Sequence, residues 1–183
     1  MNFLWPVTFS VLAAGAAPQD FLPPASSWHG ASEALIAKPD NPWITPAERA
    51  QLLDSPDYEE TMAYLKKLCA ASPRLELQTF GHSAQGRTLY VVVATKETAF
   101  TPATLRAGGK PILLAQAGIH SGEIEGKDAG LMLLRDIAFG GKETLLNHAN
   151  LLFIPIFTLE PEFRESISII TRPAMSPLNM RNR

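Results

Sequence analysis

Residues 108 to 157 contain two continuous apolar runs, separated by a segment whose apolar residues have helical spacing. Residues 112–117 (ILLAQA) form a continuous apolar run between glycines, which is typical of a strand that is covered on both faces. Residues 126–139 (GKDAGLMLLRDIAF) have helical spacing and end at two glycines, and 150–157 (NLLFIPIF) is a second buried run. A strand, a helix and a strand in this order form a βαβ unit. The sequence therefore predicts an α/β fold whose sheet is at least partly parallel.

Two helices and two strands are predicted upstream of this unit. Residues 45–48 (TPAE) have the spacing of a capping box, so a short helix is expected from there to about Leu53. The Ser-Pro pair that begins 55–71 marks a second helix start, and the apolar residues of this segment lie on one helical stripe. Residues 75–79 alternate in polarity, residues 89–94 are rich in β-branched and aromatic side chains, and a turn separates them. Both segments are expected to be neighbouring strands.

The composition excludes several classes of protein. Apolar residues make up 46% of the 183 residues and charged residues 19%, which is a globular composition rather than a disordered one. The formal charge is −2 and no long basic run is present, so nucleic acid is not expected as a partner. A single cysteine, Cys69, excludes an intramolecular disulfide framework and any CxxC zinc motif. A metal site would therefore have to use histidine and carboxylate ligands.

The N-terminal segment has the features of a secretory signal. Residues 3–17 carry no charge, and Ala14 and Ala16 supply the small-x-small pattern that a signal peptidase recognises. The apolar run is too short to span a membrane, and prolines follow it directly. We therefore expect cleavage after Ala16, a secreted or periplasmic protein, and no stable membrane anchor.

These patterns divide the chain into four parts. The segment after the signal is rich in proline and lacks periodicity, so it is expected to be a leader into the folded domain. The predicted parts are a signal peptide (1–16), a Pro-rich leader (17–42), a folded domain (43–157) and a divergent tail (158–183).

The residues with the clearest chemical potential follow the strand at 112–117. The chain there reads Gly-Ile-His-Ser-Gly-Glu, and ligands of open α/β sheets bind beyond the carboxyl ends of strands. His120 and Glu123 are both suitable zinc ligands, and a spacing of three in a turn allows both to face one ion. A solvated loop with a helix-capping glutamate would explain the same spacing. A catalytic zinc also needs a third protein ligand from elsewhere in the fold.

The stretch AQAGIHSGEIEGKDAGLMLLRDI, with GHSAQGRTLYVVVATK before it and NLLFIPIF after it, resembles the N-terminal half of the zinc carboxypeptidase family of the carboxypeptidase A and B type. The resemblance extends from about Trp43 to Phe157. It implies a mixed sheet flanked by helices, here incomplete, with Zn²⁺ as cofactor and peptide or protein C-termini as substrates. It also implies that His120 and Glu123 are two of the three zinc ligands, and that Arg87 is structural.

The chain also departs from the family pattern. The third zinc ligand, the catalytic glutamate and the substrate-binding tyrosine of the family lie beyond the part that this chain resembles. No catalytic or substrate-binding residue is therefore assigned, and His29, His82 and His148 are expected to be surface or turn residues. Gly122 stands where many members have arginine. These departures predict a truncated or frame-shifted, inactive copy that binds zinc weakly and leaves an apolar strand at an unpaired sheet edge.

Two other functions remain open at this stage. Zinc amidohydrolases of the aspartoacylase and succinylglutamate desuccinylase type also use a short His-x-x-Glu loop, although theirs is usually His-Gly-x-Glu and this chain has His-Ser-Gly-Glu. A non-catalytic exported domain that binds peptide termini is the alternative from another class. Zinc content distinguishes that domain from both enzymes.

Overall fold

The structure, a computed structural model, describes residues 30–157 except Gln85 and Ser121. The predicted signal peptide and tail, and the first part of the predicted leader, lie outside the described residues. In chain order the helices and strands are α1 (Pro46–Arg49), α2 (Tyr58–Ala71), β1 (Leu75–His82), β2 (Thr88–Ala94), α3 (Pro102–Ala107), β3 (Ile112–Gln116), α4 (Glu125–Phe139) and β4 (Asn150–Ile154). Short 3-10 helices occupy Ala31–Leu35 and Lys142–Asn147. Within the described part, no helix is long and apolar enough to cross a membrane.

The four strands form one mixed sheet in the order β1-β2-β4-β3. β1 pairs with β2 and β2 pairs with β4, both in the antiparallel sense. β3 and β4 are parallel, with Ile112 opposite Asn150 and Gln116 opposite Ile154, and α4 lies between them in the chain. The predicted βαβ unit and the mixed, partly parallel sheet are confirmed.

The starts and ends of the first two helices differ from the sequence prediction. α1 has the predicted capping box, in which Thr45 and Glu48 satisfy each other's backbone N–H groups, but it ends at Arg49 instead of Leu53. Gln51 and Leu52 have positive φ angles of 56° and 59°, which ends the helix. α2 begins at Tyr58, because the capping box is formed by Asp57 and Glu60 rather than by the Ser-Pro pair before them.

The core lies between one face of the sheet and the helices α2 and α4. Gly130 of α4 makes the closest approach, because a Cβ atom built there would lie 2.0 Å from Cζ of Phe153 in β4. This glycine therefore lets the helix backbone contact a buried aromatic ring. The side chains that fill this layer include Leu65, Leu68, Val92, Leu131, Leu134 and Phe153.

β3 is far more exposed than its sequence predicts. Leu113 is 56% exposed and Leu114 is 61% exposed, so the prediction of a strand covered on both faces is wrong. The reason is its position at the edge of the sheet, where β4 pairs with it on one side only. The expectation of an apolar edge strand near 112–117 is confirmed for the described residues.

The last residues of the predicted leader are attached to the folded domain. Ala37 N–H donates to Glu48 Oε1 over 2.8 Å, and Arg135 Nη2 donates to the carbonyl of Leu35 over 3.0 Å. Glu48 and Arg135 also form a buried ion pair. Residues 35–37 are therefore held by the same two side chains that join α1 to α4.

Candidate metal centre

The residues that follow β3 are fixed by hydrogen bonds to the residues that follow β4. Ala117 N–H donates to Ile154 O over 2.9 Å, and Phe157 N–H donates to Ala117 O over 3.1 Å. Gly118 then has a φ of +56°, and a Cβ atom there would lie 3.2 Å from Cα of Ile156. A glycine is required at this position both for its φ angle and for this close approach. The chain turns here toward the loop that carries the predicted ligands.

The loop itself is a tight turn. Gly122 has a φ of +88°. Glu123 N–H donates to His120 O over 3.3 Å, and Ile124 N–H donates to Gly122 O over 3.1 Å. Ile124, directly before α4, packs against the buried Ile156. The turn reverses the chain between the end of β3 and the start of α4, and it places His120 and Glu123 side by side.

The structure brings the two predicted ligands together. Nδ1 of His120 lies 3.0 Å from Oε1 of Glu123, a hydrogen bond when Nδ1 carries the proton. The side chains are 72% and 53% exposed, so an ion can reach both from solvent. Two ligand atoms of one tetrahedral Zn²⁺ lie about 3.3 Å apart, given bonds of about 2.0–2.1 Å. The donor types and their separation therefore fit a zinc ion bound at these two atoms.

A third ligand does not come from the part of the chain that the structure describes. No group of three or more His, Cys, Asp or Glu side chains in residues 30–157, apart from the undescribed 85 and 121, could hold a metal ion. His82 at the end of β1 and His148 before β4 are both exposed, as expected. His29 lies outside the described residues.

Arg87, predicted to be structural, is exposed and lies near an aromatic ring. It lies in the turn between β1 and β2, where its guanidinium carbon is 5.9 Å from the ring centroid of Tyr58. The Tyr58 hydroxyl donates to the carbonyl of Thr88 over 2.9 Å. Arg87 and Tyr58 thus connect the β1-β2 turn to the start of α2.

One buried charge close to the turn was missed by the sequence analysis. Lys127, in the first turn of α4, has no exposed surface, and its ammonium group donates to Ser55, Pro56 and Asp128. Burial lowers its pKa, and the negative charge of Asp128 opposes that change. A signal was present in the sequence, because Lys127 shares the helical spacing of Leu131 and Leu134 on the buried face.

Residues 61–158, more than half of the chain, match the sequence model of the zinc carboxypeptidase family. The chain therefore belongs to the zinc carboxypeptidase family. Neither the amidohydrolase nor the binding-domain alternative is better supported by this match. No curated protein is significantly similar to the chain in sequence.

Three solved structures are similar to the chain over part of their length. A protein assigned as carboxypeptidase A from Shewanella denitrificans OS-217 is 18% identical, with a TM-score of 0.50 over 61% of this chain and 28% of that chain. Carboxypeptidase A from Helicoverpa armigera is 20% identical, with a TM-score of 0.48 over 57% of this chain and 24% of that chain. Bovine thrombin-activatable fibrinolysis inhibitor, solved in complex with tick carboxypeptidase inhibitor, is 18% identical, with a TM-score of 0.47 over 58% and 32%. The chain thus spans about a quarter to a third of the length of these proteins.

Proposed function

We propose that this chain carries the N-terminal part of a zinc carboxypeptidase catalytic domain, with His120 and Glu123 as two of the zinc ligands. The observation that carries the proposal is the 3.0 Å separation of Nδ1 and Oε1 in a solvent-accessible turn at the carboxyl end of β3. The family match supplies the class of reaction, which is hydrolytic release of C-terminal amino acids from peptides.

A zinc ion bound here would polarise the scissile carbonyl and lower the pKa of a bound water. The contribution of this chain is to present one imidazole nitrogen and one carboxylate oxygen at a fixed separation. Catalytic zinc sites have three protein ligands, and the described residues supply two. We therefore infer that the 183-residue chain binds zinc weakly and is inactive as a peptidase by itself.

We also infer that the chain is exported. The uncharged run at 3–17, with Ala14 and Ala16 at its end, supports cleavage after Ala16 and a secreted or periplasmic location. Mass spectrometry of the secreted chain is expected to find residue 17 at the N-terminus. A product that begins at Met1 would contradict this inference.

The metal proposal is tested by zinc titration of the full chain against a chelating dye. Wild type is expected to bind one zinc ion weakly, and both His120→Ala and Glu123→Gln are expected to abolish that binding. His148→Ala is the matched control, because it removes an exposed imidazole that lies outside the turn. Zinc that is bound equally by all four proteins would overturn the assignment. Stoichiometric zinc that survives dialysis and is lost with His120→Ala would show that a further residue completes the site.

A further inference from the structure

Lys127 is a buried charge with all of its donors in use. Its ammonium nitrogen lies 2.7 Å from Ser55 Oγ, 2.6 Å from Pro56 O and 2.9 Å from Asp128 Oδ1. A lysine ammonium has three N–H donors, so each is matched by one acceptor. The side chain is wholly buried, and its surroundings leave no open hydrogen-bonding position on the nitrogen.

These acceptors belong to two different parts of the fold. Ser55 and Pro56 precede the capping residue of α2, whereas Lys127 and Asp128 lie in the first turn of α4. The ammonium group therefore attaches the start of α4 to the chain just before α2. Lys127 is four residues beyond Glu123, in the first turn of the helix that follows the proposed metal ligand.

The turn that carries the ligands depends on its two ends for its position. Within the turn, Glu123 N–H donates to His120 O over 3.3 Å and Ile124 N–H donates to Gly122 O over 3.1 Å. Ile124 at the N-cap of α4 supplies no side-chain cap. The β3 end is fixed by the hydrogen bonds from Ala117 N–H to Ile154 O and from Phe157 N–H to Ala117 O. The α4 end is held by the packing of Ile124 against Ile156 and by the hydrogen bonds of Lys127 to Ser55 and Pro56.

A buried ammonium is a poor choice if stability alone is required, because an apolar side chain of similar length avoids the desolvation penalty. What the ammonium adds is direction, since its hydrogen bonds to Ser55 and Pro56 fix the helix start relative to the segment before α2, while the third, to Asp128, stays within α4. The carboxylates that compensate its charge are Asp128 in direct contact, with Glu60 and Asp57 farther away.

We propose that Lys127 is a positioning residue for the metal centre, which holds the start of α4 so that His120 and Glu123 converge on one ion. The proposal rests on the proposed function for the role of the two ligands. It goes beyond that function, because it proposes that the positions of the two ligands depend on a side chain that contacts neither of them in the described contacts.

The experiment compares Lys127→Met with Arg135→Met. Arg135 is the matched control, because it is a buried cation two turns further along the same helix, bound to Glu48 instead of the α2 segment. Amide hydrogen exchange of Glu123 and Ile124 is measured on the metal-free full chain, and zinc affinity is measured by dye competition. Lys127→Met is expected to raise exchange at these amides about tenfold and to weaken zinc binding about tenfold, as loss of residues that orient metal ligands does. Arg135→Met is expected to lower Tm without either change.

Ser55→Ala keeps the test valid if Lys127→Met does not fold, because it removes one acceptor and leaves the lysine in place. It is expected to shift exchange at Glu123 and Ile124 in the same direction by a smaller factor. Equal exchange in the Lys127 and Arg135 variants, or no change in Ser55→Ala, would overturn the proposal. The exchange measurement needs no metal. Faster local exchange in a chain that binds no zinc would therefore support the positioning role while contradicting the proposed function.

Discussion

Glu48 and Arg135, 87 positions apart in the sequence, form a buried ion pair that joins α1 to α4. The Glu48 carboxylate also accepts hydrogen bonds from the backbone N–H groups of Ala37 and Thr45. Burial alone would raise the pKa of Glu48, but the hydrogen bonds from Ala37, Arg135 and Thr45 outweigh it and hold the pKa below its ordinary value of 4.5. The charged form of this carboxylate is therefore the stable one in the folded chain.

The first prediction concerns acid stability. Because the folded pKa of Glu48 is below the unfolded one, the unfolded chain binds more protons as the pH falls. The stability that Glu48 contributes is thus fully present above pH 4.5 and is lost as the pH falls through the folded pKa. Glu48→Gln is expected to lower the free energy of unfolding at pH 7 by about 1.5–3 kcal/mol, since it removes one of the two carboxylates bound to the buried Arg135 and leaves only Asp136, 2.8 Å from Nη2. It should also flatten the decline of stability below pH 4.5.

Urea unfolding between pH 3.5 and pH 7 measures both effects. Glu59→Gln is the control, because Glu59 is an exposed carboxylate in the first turn of α2. The control variant should follow the wild-type pH dependence closely. A Glu48→Gln chain whose stability declines in acid as steeply as wild type would show that Glu48 does not carry this pH dependence.

The second prediction concerns the contact between α4 and β4. An alanine at Gly130 would place its Cβ atom 2.0 Å from Phe153 Cζ, and the Phe153 ring is buried, so it has little room to move away. Gly130→Ala is expected to lower stability by about 2–3 kcal/mol through overpacking. Gly126→Ala, on the same helix, would meet only Ala117, with Cβ at 3.4 Å and Cα at 4.0 Å, and is expected to raise stability by about 0.5–1 kcal/mol. Thermal unfolding that shows the same sign for both variants would contradict this account.

The sequence could predict the βαβ unit because its three segments are long and strongly patterned. It could also place His120 and Glu123 at the carboxyl end of β3, because a ligand position beyond a strand follows from local order in the chain. The same local patterns did not define the exact helix ends. Leu52 has a positive φ angle, although glycine and asparagine are the residues that usually adopt one. Asp57, and not Ser55, caps α2, and the sequence offers both as capping residues.

Features that depend on contacts between distant segments were not available from the sequence. Lys127 finds two of its three acceptors, Ser55 and Pro56, 72 and 71 positions away, so only the neighbouring Asp128 is visible from the local sequence. The apolar run of β3 predicts a strand, but what covers a strand depends on elements far away in the chain. The apolar run therefore predicted correctly that β3 is a strand, but it predicted incorrectly that the strand is buried.

The third prediction concerns the exposed edge strand. Leu114 of β3 is 61% exposed next to backbone groups that β4 does not pair, so the chain is expected to self-associate as its concentration rises. Leu114→Lys places a charge at this edge and should lower the associated fraction in sedimentation velocity. Leu53→Lys is the control, because Leu53 is 57% exposed in the turn after α1. Equal effects of the two substitutions would mean that general surface hydrophobicity, and not the β3 edge, causes association.

The last prediction separates backbone strain from the geometry of the metal centre. Gly118 and Gly109 have positive φ angles of 56° and 69°, but only a Cβ atom at Gly118 meets another group, Cα of Ile156 at 3.2 Å. Both alanine variants are expected to lose about 1 kcal/mol from the φ angle, and Gly118→Ala should lose about 1 kcal/mol more because backbone must move to accommodate the methyl group. That movement displaces the start of the ligand turn, so Gly118→Ala should weaken zinc binding while Gly109→Ala leaves it unchanged. Urea unfolding measures the stability, and dye competition measures the zinc affinity, of wild type and of both alanine variants. If zinc affinity falls equally in both variants, the loss of stability, and not the backbone position at Gly118, would be the cause of the weaker zinc binding.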